Sequence, residues 1–139
     1  MQSIQSLSQR AEFSLVAFSS NEVVWSPTPR RASPAAKSAA IAWLQSLQAE
    51  GWTCLAPAGI TTVEIANLST KRLRQILLLS DGVPLCFEVD TSAECLTDIT
   101  AANYQHIPIN TLYISSDSAG VSFMQQLAAM NGGTFTLVE

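Results

Sequence analysis

The sequence predicts an α/β domain with a mostly parallel sheet, and three observations carry that prediction. Apolar strand-like runs alternate with segments of helical periodicity from residue 13 to the C-terminus. One run, Ile76 to Leu79, is apolar without alternation, the pattern of a strand buried on both faces by covering helices. The helical segments carry end signals, with Ser33-Pro34 before one and Gly132-Gly133 after another.

In chain order, Phe13 to Phe18 and Glu22 to Trp25 read as the strands of a hairpin that turns at Ser19-Ser20-Asn21. In "SPAAKSAAIAWLQSLQAEG" Ser33 is an N-cap, Pro34 takes the first helical position, and Gly51 stands just past the end. Ala36, Ala40, Trp43, Leu44 and Leu47 recur at helical spacing and are expected in the core. Residues 56 to 69 predict a less regular helix, because several positions are β-branched. Lys71-Arg72 and Arg74 then lead into "QILLLSDG". A helix over "TSAECLTDITAANYQH", capped by Thr91 or Ser92, is followed by the strand "INTLYIS". The helix "SAGVSFMQQLAAMNGG" ends at a glycine pair suited to a left-handed cap, and "TFTLVE" is the last strand. No repeat or low-complexity linker divides the 139 residues, so residues 1-139 are expected to form a single domain.

Composition narrows the function. Only 13% of residues are charged against 47% hydrophobic, too few solvating residues to cover a free monomer, which favours an oligomer or a partner-bound subunit. The net charge is -4 and the basic residues form two small clusters, Arg30-Arg31 and Lys71-Arg72-Arg74, so there is no basic stripe for nucleic acid. No apolar stretch approaches the roughly 18 to 20 residues that span a bilayer. The opening "MQSIQSLSQR" lacks a signal-peptide pattern, so no membrane role and a cytoplasmic location are expected. Cys54, Cys86 and Cys95 are odd in number and show no CxxC spacing, which predicts reduced thiols without a disulfide framework or zinc site.

Catalytic constellations are missing parts. Ser80 has no Gly-x-Ser-x-Gly elbow, and His106, read as a surface residue, is the only base available to the cysteines. The glycine pair follows a helix and does not open one, so it cradles no phosphate. Asp81 ends a strand beside Gly82, where a carboxylate accepts local backbone hydrogen bonds, and the Thr53 hydroxyl has a similar local reading. Trp52 reads as a packing plug, with a ligand-facing ring as the alternative.

Four segments, "FSLVAFSSNEVVW", "AIAWLQSLQAEGWTCLAPA", "ILLLSDGVP" and "LYISSDSAGVSFMQQLAAMNGGTFTLV", together resemble the von Willebrand factor type A family over residues 10 to 138. The resemblance implies a three-layer, Rossmann-like fold and a metal-ion-dependent adhesion site on loops at the C-terminal edge of the sheet. The Thr of that site falls on Thr53 and its central-strand Asp on Asp81, oxygen ligands of the kind Mg²⁺ takes. The remaining motif, Asp-x-Ser-x-Ser after a first central strand, has no counterpart; Asp117 and Ser118 are followed at the next alternating position by Gly120. The chain therefore reads as an N-terminally truncated member lacking the first central strand, with a vestigial site that binds Mg²⁺ weakly or not at all.

A missing central strand leaves "FSLVAF" and "QILLLS" as edges without the Lys or Pro that protects an exposed strand. Those two strands then pair directly, or a second copy completes the sheet, or a separate polypeptide supplies the strand; the apolar composition favours the last two. The expected function is a non-catalytic protein-protein interaction module, homodimeric, with a degenerate and metal-free site. The alternative is a divalent-metal-dependent ligand-binding module completed by a partner chain. A small hydrolase, the third reading, requires a pocket joining His106 to Ser80 or a cysteine.

Overall fold

The computed structural model describes residues 2–48 and 51–138. A short helix, α1 (Gln2–Gln5), precedes a ribbon in which β1 (Glu12–Phe13) pairs antiparallel with β4 (Arg30–Arg31). Between them β2 (Val16–Phe18) and β3 (Glu22–Val24) form a hairpin shorter than expected, with Val16 opposite Val24. The predicted strand from Phe13 to Phe18 is broken, because Phe13 pairs with Arg30 of β4 instead. Phe13 stacks on Trp25 at 5.0 Å and the Arg30 guanidinium lies 4.9 Å from the Trp25 ring centre, pinning the Pro-rich loop that follows.

α2 (Pro34–Ser46) begins where its cap predicts, with the Ala36 N–H donating to the Ser33 hydroxyl. It stops at Leu47, short of Gly51. Gly51 holds a left-handed φ of 85° in the next loop, where the Trp52 N–H donates to Ser20 Oγ. Residues 49 and 50, which a longer helix would include, lie outside the described residues. Ala36 and Ala40 are buried, whereas Trp43, Leu44 and Leu47 are half-buried.

The second part comprises α3 (Leu55–Asn67), β5 (Ile76–Ser80), a ribbon of β6 (Leu85–Cys86) and β7 (Val89–Asp90), α4 (Ser92–Ala102), β8 (Ile109–Tyr113), α5 (Ser118–Met130) and β9 (Phe135–Leu137). Its sheet is parallel in the order β5-β8-β9, with Ile76 opposite Ile109 and Thr111 opposite Phe135. Leu55 and Val63 of α3, Cys95 and Ile99 of α4, and Phe123, Met124 and Leu127 of α5 close over Ile76, Ile109 and Tyr113 to make the core. Thr91 does not cap α4; Asp90 Oδ1 accepts from the Ser92 N–H instead, and the Thr91 hydroxyl donates to the Pro84 carbonyl. At the end of α5 the two glycines have different causes. Gly132 takes a left-handed φ of 65°, and a Cβ on Gly133 would collide with the Ile109 carbonyl.

The expectation that β5 is buried on both faces is corrected. Ile76 turns into the core, but Leu77 is 56% and Leu79 48% exposed. α3, α4 and α5 cover the Ile76 face, and the alternating residues of the strand point away from it.

β2 and β5 run side by side without pairing. On the side where they begin, Ser69 Oγ, in the loop that leads to β5, donates at 3.1 Å to Oε1 of Glu12 in β1, the strand before β2. At their C-terminal ends the loop before α3 bridges both, with Cys54 N–H donating to the Ser19 carbonyl and Thr53 N–H to the Leu85 carbonyl. The two strands therefore point the same way, yet β2 bonds only β3 and β5 only β8. A groove of about 1220 Å³ lies between them, flanked by Ala58, Thr62 and Ala66 of α3. Direct pairing of these two strands, the first of the three arrangements open to the sequence, is not what the chain adopts.

Candidate functional site

β5 and β8 end in register, Ser80 opposite Tyr113, so both release their loops at one edge of the sheet. The turn after β5 is held by Ser80, whose hydroxyl donates to the Gly82 carbonyl at 2.9 Å and accepts from the Gly82 N–H at 3.3 Å. Ser80 thereby takes the part expected of the Asp81 carboxylate. Asp81 is exposed and its carboxylate makes no hydrogen bond among the described residues. Thr53 reaches the same edge through its N–H bond to Leu85, and its hydroxyl likewise has no partner among the described residues. The local backbone bonds expected of these two side chains are not formed.

The cysteine expectation is overturned in part. Cys54 and Cys86 form a disulfide with their Cα atoms 4.7 Å apart, while Cys95 is free and buried. The two half-cystines are 32 residues apart, and the Thr53–Leu85 backbone bond between their neighbours brings them together. Spacing along the chain carries no trace of that contact. Burial pushes the Cys95 thiol up to about 11, with the Thr91 hydrogen bond acting in the opposite direction.

Beside the disulfide stands a feature that the sequence reading missed. In the β6–β7 ribbon Cys86 pairs with Val89, leaving Phe87 and Glu88 as a two-residue turn with φ of 48° and 69°. Such a turn favours Gly or Asn, and bulkier residues there cost on the order of 1 kcal/mol each. The strained turn sets the Phe87 ring outward, 63% exposed and 6.2 Å from the half-buried Trp52 ring. Val89 is 57% exposed on the same ribbon. The apolar alternation Leu85, Phe87, Val89 was the available signal for a strand pair here.

Asp117 is fully engaged as the N-cap of α5. Its Oδ1 accepts from the Tyr113 and Ser115 hydroxyls at 2.6 and 3.0 Å, and its Oδ2 accepts from the Gly120 N–H at 2.8 Å. The Tyr113 hydroxyl, then the Gly120 N–H, hold the Asp117 carboxyl below its usual range. Burial, reinforced by the Asp117 acceptor, pushes the Tyr113 phenol up to about 12. His106 is exposed with φ 55° before β8, and Ser80 ends the parallel strand β5. About 17 Å of strand separates the two ends, so they form no nucleophile-base pair.

A divalent cation of the Mg²⁺ type wants about six oxygen ligands in an octahedron. Thr53 and Asp81 offer one hydroxyl and one carboxylate, and no group of three His, Cys, Asp or Glu side chains able to hold a metal occurs among the described residues. The donor set does not fit a resident ion.

A parallel sheet with exposed polar and aromatic groups on the loops beyond its strand ends defines an open-sheet α/β domain, a class in which ligands, where bound, sit outside the carboxyl ends of the strands. The family model described as von Willebrand factor type A domain matches residues 2–137, and the chain belongs to that family. It is also similar in structure to a von Willebrand factor type A protein from Catenulispora acidiphila, with a TM-score of 0.82 and 18% sequence identity. The match covers 98% of this chain and 32% of that one, so this chain spans about a third of its relative's length. The family is one of protein-interaction and ligand-binding modules. No helix among the described residues is long and apolar enough to cross a membrane.

Proposed function

We propose that this chain is a non-catalytic protein-binding module that grips its partner at the edge bearing Thr53, Asp81 and the Phe87 turn, through a degenerate adhesion site without a resident metal. The observation that supports this most directly is Phe87. A large apolar side chain sits in left-handed backbone, mostly exposed, on a ribbon clamped by the Cys54–Cys86 disulfide. Exposed aromatic rings on rigid supports are the residues that anchor protein interfaces. The separation of Ser80 from His106 supports the non-catalytic part. A photo-crosslinking residue at position 87, expressed in the source cell, is expected to give a discrete protein adduct that the same residue at exposed Gln126 does not give. Equal labelling from both positions overturns the reading.

The scarcity of charge and the exposed Leu77 and Leu79 support homodimerisation through the uncovered sheet face. Light scattering at micromolar concentration checks it, and a monomer removes that part. A disulfide persists where thiols are kept oxidised, so Cys54–Cys86 weighs against the cytoplasmic location that the sequence suggests.

The unbonded Asp81 carboxylate and Thr53 hydroxyl favour one second reading, a metal-dependent module whose remaining oxygen ligands come from a partner chain. It requires millimolar Mg²⁺ to tighten partner binding, and Asp81→Ala to abolish that effect.

A further inference from the structure

We infer that the groove between β2 and β5 is a receptor slot for one extended apolar strand of a separate polypeptide, with acidic residues at the end that meets Lys71 and Arg72. This rests on the protein-binding reading and names a second surface for it.

The backbone makes the first part of the case. Leu15, Ala17 and Ser19 face β3, as the bonds from Trp25 N–H to the Leu15 carbonyl and from Ser19 N–H to the Asn21 carbonyl show. Alternation then turns the N–H and C=O groups of Val16 and Phe18 towards the groove. In β5 the bonds from Ile76 N–H to Pro108 and from Ile114 N–H to Ser80 set Ile76, Leu78 and Ser80 against β8. The N–H and C=O groups of Leu77 and Leu79 face the groove in the same way. Two parallel rows of unpaired amides thus look at each other across the space, and neither row is guarded by Lys or Pro. The Ser69–Glu12 bond at one end, and the loop of Cys54, bonded to Ser19 and to Cys86, at the other, link the two sides of the groove.

An inserted strand must bond on both sides, so both of its edges must be free. Every strand of the described residues already has a neighbour on one edge. A second folded copy therefore cannot fill the slot, whatever it does on the outer sheet face. The occupant is a segment with no sheet of its own, and the half-buried apolar side chains that line the groove, among them Val16, Phe18, Ala66 and Leu78, select apolar side chains for it. Charge fixes its end. Lys71 and Arg72 line the groove where β5 begins and are exposed, while Arg74 is tied to Gln105 Oε1. The acid at that end, Glu12, is engaged by Ser69.

The test is hydrogen exchange read amide by amide on the whole chain with its disulfide intact. In the free protein the amides of Val16, Phe18, Leu77 and Leu79 are expected to exchange fast while those of Leu78 and Ser80 are protected. Two ten-residue peptides serve as probes, each an apolar run of Val, Leu and Ile, with two Asp residues at its N-terminal or its C-terminal end. One of the two is expected to slow the four amides ~10-fold or more, and which one reports the strand's direction. Replacing its acids by Lys, or Lys71 and Arg72 by Glu, should weaken binding by on the order of threefold to tenfold. N-methylation of alternate peptide amides, which leaves the protein untouched, should abolish the protection. Four amides that are already slow in a monomer, or that stay fast with both peptides at millimolar concentration, overturn the slot. Crosslinks from position 87 that persist in that case leave the protein-binding reading standing; loss of both removes it too.

Discussion

The Tyr113 hydroxyl donates to Asp117 Oδ1 at 2.6 Å, tying the last residue of β8 to the N-cap of α5. The bond sets a pH dependence with opposite signs on its two sides. The Tyr113 phenol is raised to about 12 in the folded chain, so between its ordinary value of 10 and 12 the folded state keeps a proton that the unfolded state has released. Stabilisation from Tyr113 is full below pH 10 and is lost as pH rises towards 12. Asp117 is lowered from 3.8, so its contribution is present above that value and is lost as pH falls below it. Urea midpoints are expected to fall at both extremes, and Tyr113→Phe should lower the midpoint at pH 7 while removing this residue's share of the alkaline loss.

Gly120 leaves room for that bond. A Cβ there would lie on the Tyr113 ring and hydroxyl, which are fully buried and cannot retreat. Gly120→Ala should cost about 3 kcal/mol as overpacking. Gly82, in the turn after β5, has nothing within 4 Å of an added Cβ. Gly82→Ala should be neutral or stabilise by about 0.5 kcal/mol, because it restricts the unfolded chain. Chemical denaturation of both variants checks the contrast, and equal effects would count against this packing.

The alternation of strands and helices, the Ser33-Pro34 start and the Gly132 cap were legible because each is a local property of a few neighbouring residues. What escaped was non-local. The Cys54–Cys86 bond depends on a backbone contact between loops 32 residues apart. The half exposure of β5 depends on which helices cover it, and an apolar run reads alike whether its second face is covered or bare. At the candidate site Thr53 and Asp81 are assigned from the family resemblance alone, and nothing in the neighbouring residues foretells their freedom from hydrogen bonds. Ser80 had to take the Gly82 turn for Asp81 to be left over, and either residue suits such a turn.

Asn131 organises the end of the core opposite Tyr113. It is buried, its Nδ2 donates to Thr100 Oγ1 and the Leu127 carbonyl, and its Oδ1 accepts from Asn103 Nδ2. Asn103 in turn accepts from the Ile107 N–H, which fixes the entry to β8. Asn131→Ala strips these partners at once and should cost about 2 kcal/mol. Asn131→Leu should cost at least as much, since the orphaned polar groups stay buried. A loss below about 0.5 kcal/mol for either variant would show the network to be dispensable.

The disulfide predicts how the binding edge responds to reductant. Cross-linking residues 54 and 86 closes a loop of about 32 residues, for which the loss of unfolded-chain entropy corresponds to about 3 to 4 kcal/mol. Reduction, or Cys54→Ser with Cys86→Ser, should lower the denaturant midpoint accordingly. Thiol counting separates this from a general effect. The folded, unreduced chain should expose no reactive thiol, because Cys95 is fully buried with its pKa near 11. The same chain in denaturant should yield one thiol, and three after reduction. The Phe87 turn keeps its left-handed backbone against a strain of on the order of 1 kcal/mol per residue, with Cys86 beside it as the covalent anchor. Cleavage by chymotrypsin after Phe87 should therefore accelerate on reduction more than cleavage after Tyr104, which is exposed and lies away from the disulfide. Three reactive thiols in the unreduced protein would remove the cross-link and, with it, the clamp on which the proposed binding edge depends.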